Sequence, residues 1–457
     1  MTPDNASFRD PAGFVFTQDG VVLRQVNLIY SEHYDLLMQS GLYADLVGAG
    51  LLIPHREYGT APSAPAQTYK VIEPDKIPFI SYPSEWSSGQ LKQAALTTLE
   101  VQRRALSFGM SLKDASSFNI QFIGSRAVLI DTLSLERYVE GTPWVAYRQF
   151  CEHFLAPLAL MSLANSSAAA LLGNSIDGIP LTLASRLLPI RSRLRPSLLL
   201  HLHFHTLELR KHQNPSASRK TGHVTLTGLR GLIDSLHGAV SRLKFAAADS
   251  EWDDYYDRTN YPAAAMEEKA SIVRAWVEEL KPKIVWDIGS NRGRFSRIAA
   301  ESGCYVISAD SDPAAVDSNY RQCQLRNETN ILPVVIDISN PTPAFGWANT
   351  ERRSFLQRGP ADTILALALV HHLVITRGVP FEKIAATLAG SSTSLIVEFP
   401  SVEDSQVRQM LSQNTAAVAR YSETAFRDGF GRHFRIVREQ TISGSHRTLF
   451  LMTPVAS

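Results

Sequence analysis

Apolar and polar positions follow two different rhythms along this chain. From Lys283 to about residue 400, short apolar runs alternate with stretches of helical spacing. The series opens with "KIVWDIGSNRGRFSRIAAESGCYVISADSDP", in which "IVWDIG" and "YVISAD" read as buried strands flanking a helix. "LPVVIDIS", "ADTILALALVHHL" and "SSTSLIVEFP" continue it as third, fourth and fifth strands. Near-continuous apolar strands separated by helices predict a parallel sheet covered on both faces. "FRIVREQ" and "HRTLFLM" in the tail read as a closing antiparallel pair.

The first half has another pattern. Residues 13–30, "GFVFTQDGVVLRQVNLIY", predict a β-hairpin turning at "QDG". Helical spacing follows in "SEHYDLLMQSGLYADLVGAG", then strands in "LLIPHREY" and "YKVIEPDKIPFISYP". "SSGQLKQAALTTLEVQRRALSFGM" predicts a serine-capped helix that stops at Gly109. Residues 150–250 look mostly helical, with "GNSIDGIP" and "HQNPSASRKTGH" as punctuation. These rhythms predict an α/β chain of two domains: an α+β domain over 1–245 and a parallel-sheet domain over 246–457.

Composition narrows this reading. A chain of 457 residues exceeds one ordinary core, which agrees with two domains. With 44% hydrophobic and 19% charged residues it is globular rather than disordered. A net charge of +1 argues against broad electrostatic capture of nucleic acid. Cys151, Cys304 and Cys323 form no CxxC pair, so a disulfide scaffold or thiolate zinc site is not expected and a reducing compartment fits. The N-terminus has no secretory pattern. The longest apolar stretch, Phe154 to Gly173, is interrupted by Pro157 and Asn165 and reads as buried helices, not a membrane span. A cytoplasmic location is the expectation. Oligomeric state has no signature here.

The turn after the first parallel strand carries the chemistry. Gly289 and Gly293 sit where a ligand approaches backbone and where positive φ is needed. Asp310, at the end of the second strand, can accept both hydrogen bonds of a ribose diol. A P-loop needs GxxxxGK[ST] and a dinucleotide site GxGxxG; neither occurs here. "DIGSNRGRF" resembles motif I of class I methyltransferases, (D/E)xGxGxG, with Asn291 in place of the middle glycine. Asparagine tolerates positive φ better than most residues. The resemblance covers roughly residues 255–455 and implies a Rossmann-like domain binding S-adenosyl-L-methionine (SAM) through Asp287, Gly289, Asn291, Gly293, Asp310 and Asp337. It places Asp310 on the ribose and Asp337 on the adenine amino group. Tyr255, Tyr256 and Tyr261, just upstream, would pack on the cofactor.

The amino-methylating Asn-Pro-Pro-Tyr signature is missing, and the fourth strand runs into His371 and His372. A neutral imidazole there suits O-methylation, taking the acceptor's proton. If the segment is extended, only one of the pair faces the cleft. A metal reading places His372 with Glu398, at the end of the fifth strand, on a divalent cation, with His446 as a further member. This resembles metal-dependent RNA 2′-O-methyltransferases. Asn340–Phe355, "NPTPAFGWANTERRSF", is expected to be a lid or substrate loop.

The first half has its own motif in "SLKDASSFNIQFIGSRAVLIDTLS". Asp114, Asn119, a strand, a turn at Gly124, a strand and Asp131 resemble the catalytic segment of aminoglycoside-phosphotransferase-like kinases. The resemblance implies Asp114 on the acceptor hydroxyl, and Asn119 and Asp131 on the Mg²⁺ of ATP. The basic residue is Arg24 or Lys70, and active kinase, nucleotide-binding pseudokinase and scaffold all stay open. His201 and His205 share a helix face, but no third zinc ligand is placed, so a helical core with polar tips is expected. As a whole the chain resembles bacterial nodulation-related methyltransferases, which implies a small-molecule or saccharide acceptor. A non-catalytic regulator that senses SAM or ATP is the remaining alternative.

Overall fold

In the computed structural model the described residues are 2–59, 64–204, 223–245 and 263–455. They group into two compact units, Met1–Ala246 with Ala344–Arg352 and Ala247–Pro343 with Arg353–Ser457.

The first unit begins with a five-stranded antiparallel sheet in the order β1-β2-β3-β5-β4. Its strands are β1 (Thr2–Pro3), β2 (Gly13–Gln18), β3 (Val21–Asn27), β4 (His55–Glu57) and β5 (Thr68–Pro74). The predicted hairpin is present: Gln18 pairs with Val21 across Asp19 and Gly20, whose φ values are 51° and 78°. Two left-handed residues match the twist of the flanking strands. Helices α1 (Ser31–Gln39) and α2 (Leu42–Gly48) lie between β3 and β4 in sequence. Helix α3 (Ser88–Ser107) starts with a Ser87–Gln90 capping box and buries Leu91, Ala95, Leu99 and Leu106. Strand pair β6 (Met110–Leu112) and β9 (Leu135–Arg137) encloses the hairpin β7 (Ile120–Ile123) and β8 (Arg126–Leu129). Helices α4 (Ala156–Leu163), α5 (Leu181–Leu187) and α6 (Leu226–Ser241) make up much of the rest. No described helix is long and apolar enough to cross a membrane.

The second unit holds α7 (Ala263–Leu280), β10 (Ile284–Ile288), α8 (Arg294–Glu301), β11 (Tyr305–Asp310), α9 (Pro313–Arg326) and β12 (Ile331–Val335). After these come β13 (Ala361–Ala366), α10 (Phe381–Ala389), β14 (Ser392–Pro400), α11 (Ser405–Gln413), α12 (Glu423–Gly431), β15 (Phe434–Thr441) and β16 (Arg447–Pro454). The seven strands run β12-β11-β10-β13-β14-β16-β15. The first five are parallel, and β16 enters antiparallel between β14 and β15. Val285, Val306, Leu365, Ile396 and Leu451 meet Val273, Trp276 and Val277 of α7 in one apolar core. The chain reverses its winding between β10 and β13. In open α/β sheets such a switch point leaves a crevice at the carboxyl ends of the strands, where ligands bind.

The long connection after β12 departs from the lid expectation. Its middle, Ala344–Arg352, groups with the first unit. Phe345 packs edge-on to Tyr82 and tilted on Phe118, and Arg352 lies over Phe118 at 4.8 Å. Arg9 grips the buried Glu351 with both arms, at 2.7 and 2.9 Å. Phe345, Glu351 and Arg352 of this connection are packed or ion-paired within the first unit, while Trp347, 71% exposed, and Arg353 face outward.

Candidate active site

The turn between β10 and α8 has left-handed backbone at three positions. Gly289, Asn291 and Gly293 have φ of 77°, 50° and 76°. Asn291 therefore fills the middle glycine's place with the conformation a glycine would take. At Gly293 no side chain fits, since a Cβ would lie 2.5 Å from Asn319 Oδ1. The carboxylate of Asp310 accepts the Asn291 amide at 2.7 Å and the Asp312 amide at 2.9 Å. It thus ties the turn to the end of β11, and each oxygen keeps a lone pair for a further donor. Burial raises its pKa, while these amide bonds oppose the rise.

Asp287 does not face the crevice. It is 2% exposed and accepts the Ser296 hydroxyl at 2.6 Å. Ser296 meets Ser308 at 2.7 Å, and Asn319 donates to Ser308 at 2.8 Å. Asp287 therefore ties the end of β10 to Ser296 of α8. Burial pushes its carboxyl up to about 6, against the pull of the Ser296 hydroxyl. The native pKa lies above the unfolded one. The stabilisation is therefore complete below about 3.8 and lost as pH rises through about 6. A displacement of that size corresponds to about 3 kcal/mol. Asp287→Asn should gain in stability relative to the wild type between pH 4 and pH 7, as read by urea unfolding at each pH. A difference independent of pH would show that Asp287 is ionised in the fold at no cost.

Asp337 follows β12. Its carboxylate accepts the backbone and hydroxyl of Ser339 at 2.9 and 2.6 Å and pairs with Arg377 at 3.1 Å.

The loop after β13 differs from the extended segment assumed for the histidines. Ala368 is left-handed, with φ of 51°, and a helical turn begins just before His371, becoming a π turn over His372–Thr376. Such turns recur at functional sites. Adjacent helical residues do not point to opposite sides, and the two rings lie 4.1 Å apart. His371 is fully buried, and neither ring nitrogen has a hydrogen-bond partner. His372 is partly exposed. Burial holds His371 well below the ordinary histidine range and His372 at about 4, so both are neutral near pH 7. The hydroxyl of Ser290, in the β10 turn, is likewise buried without a partner. Ser290 and His371 thus stand on the two loops that flank the switch point. The loops also touch, for a Cβ on Gly289 would come within 3.3 Å of Leu369. Unmatched buried polar groups at a switch point fit a site that receives a polar ligand.

Glu398 is not a metal ligand in this arrangement. It is fully buried and pairs with Lys269 of α7 and, at 3.2 Å, with Arg447 of β16. Arg447 continues to Asp404 at 2.8 Å. Both Glu398 oxygens are thus engaged by buried cations. Among the described residues no group of three or more His, Cys, Asp and Glu could hold a metal ion. His446 lies outside the cluster on the surface, 3.2 Å from Glu403. Lys269 and Arg447 escaped the sequence reading; Arg447 is the one charge in β16, while Lys269 stands among other charged residues of α7 and carried no signal. Tyr255, Tyr256, Tyr261 and His205 lie outside the described residues. His201 bonds Tyr147 at 2.8 Å and Ser235 at 2.9 Å, as a polar tip in a helical core would.

In the first unit, Asn119 ends a turn into β7 and Asp131 follows β8. The hairpin joins their ends: the Asn119 carbonyl accepts the Ile130 amide at 2.8 Å, and its side chain donates to Ser134 at 3.1 Å. Asp131 pairs with Arg24 of β3 at 2.6 Å. Lys70 instead pairs with Glu57 at 2.8 Å. Asp114 accepts Gln149 at 2.7 Å and the Ser116 amide at 2.9 Å.

No protein-family model matches the chain. Solved structures similar to part of the chain include three methyltransferases. The magnesium protoporphyrin IX methyltransferase ChlM of Synechocystis PCC 6803 is 19% identical, with 42% of this chain and 84% of that one covered, at a TM-score of 0.32. The N-methyltransferase NodS of Bradyrhizobium japonicum WM9, in complex with S-adenosyl-L-homocysteine, is 15% identical over 46% of this chain and 95% of that one, at 0.32. The bifunctional kinase-methyltransferase WbdD is 14% identical over 46% and 43%, at 0.31. The fold assignment rests on the strand order and the turn: the second unit is a Rossmann-like class I methyltransferase domain. One curated protein is similar along the whole chain. It is nodulation protein NoeA of Rhizobium meliloti (strain 1021), 32% identical, with 97% of this chain and 94% of that one covered. Identity at that level across both domains places the chain in the NoeA family of nodulation proteins.

Proposed function

We propose that this protein is a SAM-dependent methyltransferase that methylates an oxygen of a small-molecule or saccharide acceptor. The observation carrying it is the β10 turn, left-handed at Gly289, Asn291 and Gly293 and tied to Asp310. The donor set fits SAM, which when bound supplies an activated methyl group. Asp310 would hold the ribose diol and Asp337 the adenine amino group, while Asp287 supports the turn. His372, the partly exposed member of the pair, would take the acceptor's proton, and His371 packs behind it.

Calorimetric titration with S-adenosylhomocysteine tests the cofactor assignment; absence of binding would refute it. For the base, His372→Ala should lower kcat on a responsive acceptor by about 10²-fold or more, leaving cofactor affinity within about twofold. Because His372 titrates near 4, the rate should stay flat from pH 8 to about 5 and fall below that. A His372→Ala enzyme of undiminished kcat would exclude this role.

For the first unit we propose nucleotide binding, with Asn119 and Asp131 toward a Mg²⁺–phosphate group and Arg24 toward the phosphates. The hairpin that joins Asn119 to Asp131, with Arg24 at 2.6 Å, supports this. ATP with Mg²⁺ should bind the wild type and bind Asp131→Ala at least about tenfold more weakly, by titration. Equal binding by both would leave a scaffold.

A further inference from the structure

The helical part of the first unit presents a surface that neither proposed activity uses. It is built from α5, a 3₁₀ turn over Ile190–Leu194, and a helical run from Pro196 to Phe204. Leu183 and Leu187 on α5 are 42% and 49% exposed, one helical turn apart. Ile190 and Leu194 are 80% and 83% exposed, and Leu200 and Phe204 about half. Scattered single apolar residues on a surface need no explanation, but a run of this kind does.

Charge accompanies it. Arg186, Arg191, Arg193 and Arg195 are all exposed. None of the four has an ion-pair partner among the described residues; Arg191 donates to the Leu163 carbonyl at 2.9 Å. From Gly178 to Leu207 the sequence contains no Asp or Glu. The pieces are fixed to one another from beneath. The buried His203 meets Ser185 of α5 at 2.8 Å through Nδ1 and Ser192 of the 3₁₀ turn at 2.9 Å through Nε2. The face is therefore preformed.

We propose that this face docks on an anionic phospholipid bilayer, with the leucines and Ile190 in the headgroup–acyl boundary and the arginines on lipid phosphates. Charge complementarity and composition select this occupant. Apolar side chains flanked by unpaired arginines suit an interface where the chain of each arginine lies along acyl carbons and its head reaches phosphate. Protein-binding hot spots favour Trp, Tyr and Arg and under-use Leu; residues 178–207 supply Arg but no Trp or Tyr, and many Leu. Attachment of this kind is peripheral and needs no spanning helix.

The test is co-sedimentation of the full-length protein with vesicles of phosphatidylcholine alone or mixed with phosphatidylglycerol. Binding is expected to the mixed vesicles only and should weaken as salt screens the arginines. Ile190→Ser with Leu194→Ser, and separately Arg193→Glu with Arg195→Glu, should each reduce partitioning by about tenfold or more. Both pairs are exposed, so melting temperature and S-adenosylhomocysteine titration should match the wild type and confirm intact folding. Protein left in the supernatant with both vesicle types would overturn the proposal. So would folded variants that bind as the wild type does. Equal binding to pure phosphatidylcholine would refute the charge component.

Discussion

Asp310→Ala should lose S-adenosylhomocysteine binding by about 100-fold or more without unfolding the protein. Its carboxylate has two tasks at once. It holds the amides of Asn291 and Asp312, and so keeps the left-handed turn in register with the end of β11. In the proposed site its remaining lone pairs would accept two hydrogen bonds from a ribose diol. Hydrogen bonds to a charged group contribute about 1.5–3 kcal/mol each, so losing two of them exceeds the roughly 2.7 kcal/mol of a hundredfold change. Alanine also leaves the Asn291 amide without its acceptor, which loosens the turn. Asp310→Asn should fall between the two, since an amide offers one acceptor oxygen. Because burial raises the carboxyl's pKa, binding to the wild type should weaken as acid protonates it, and the alanine variant should lack that pH dependence. Binding by Asp310→Ala equal to that of the wild type would remove the residue from the cofactor site.

Glu398→Ala should destabilise the second unit by about 3–5 kcal/mol, the largest stability effect expected of a single polar substitution here. Glu398 is fully buried between Lys269 and Arg447, and Arg447 also holds Asp404. Deleting it removes the hydrogen-bonded counter-ion of the buried Lys269 while Arg447 stays nearby. Burial already lowers the lysine's pKa, and Glu398 is the main opposing influence. Removing both partners is a different matter, since apolar replacement of a buried ion pair is often neutral. Lys269→Met combined with Glu398→Leu should therefore recover much of the loss, as read by thermal or urea unfolding. A Glu398→Ala protein of wild-type stability would mean that water reaches the cluster.

The remaining question is how much of this was readable from residue order. The hairpin at Asp19–Gly20, the capped helix α3, the parallel strands and the closing antiparallel pair follow from periodicity and turn residues. Those are local properties: a strand's two faces and a turn's positive φ are decided within a few residues. The same holds for the β10 turn. Asn291 in a glycine's place was expected to accept positive φ, and it does, because the strain there depends on its own Cβ. Asp310 was legible because its distance from the turn is set by one helix and one strand.

Long-range pairings were not legible. Glu398 looked like a metal ligand next to His372. Its partners come from α7 and β16, and only the folded sheet brings those elements together. The histidines looked like residues of an extended segment, whereas the left-handed Ala368 and the π turn bring their rings within 4.1 Å of each other. Residue order also did not show that Arg24 pairs with Asp131, which follows β8, while Lys70 pairs with Glu57 of β4. The connection after β12 read as a loop by composition, yet Glu351 and Phe345 find their partners at Arg9, Tyr82 and Phe118. Sequence by itself determined the elements, the two-domain plan and the left-handed turn after β10, because local sterics and hydrophobic periodicity act over short spans. Tertiary structure alone decided which charges neutralise one another and which polar groups stay unmatched, because those depend on residues brought together from far apart in the chain.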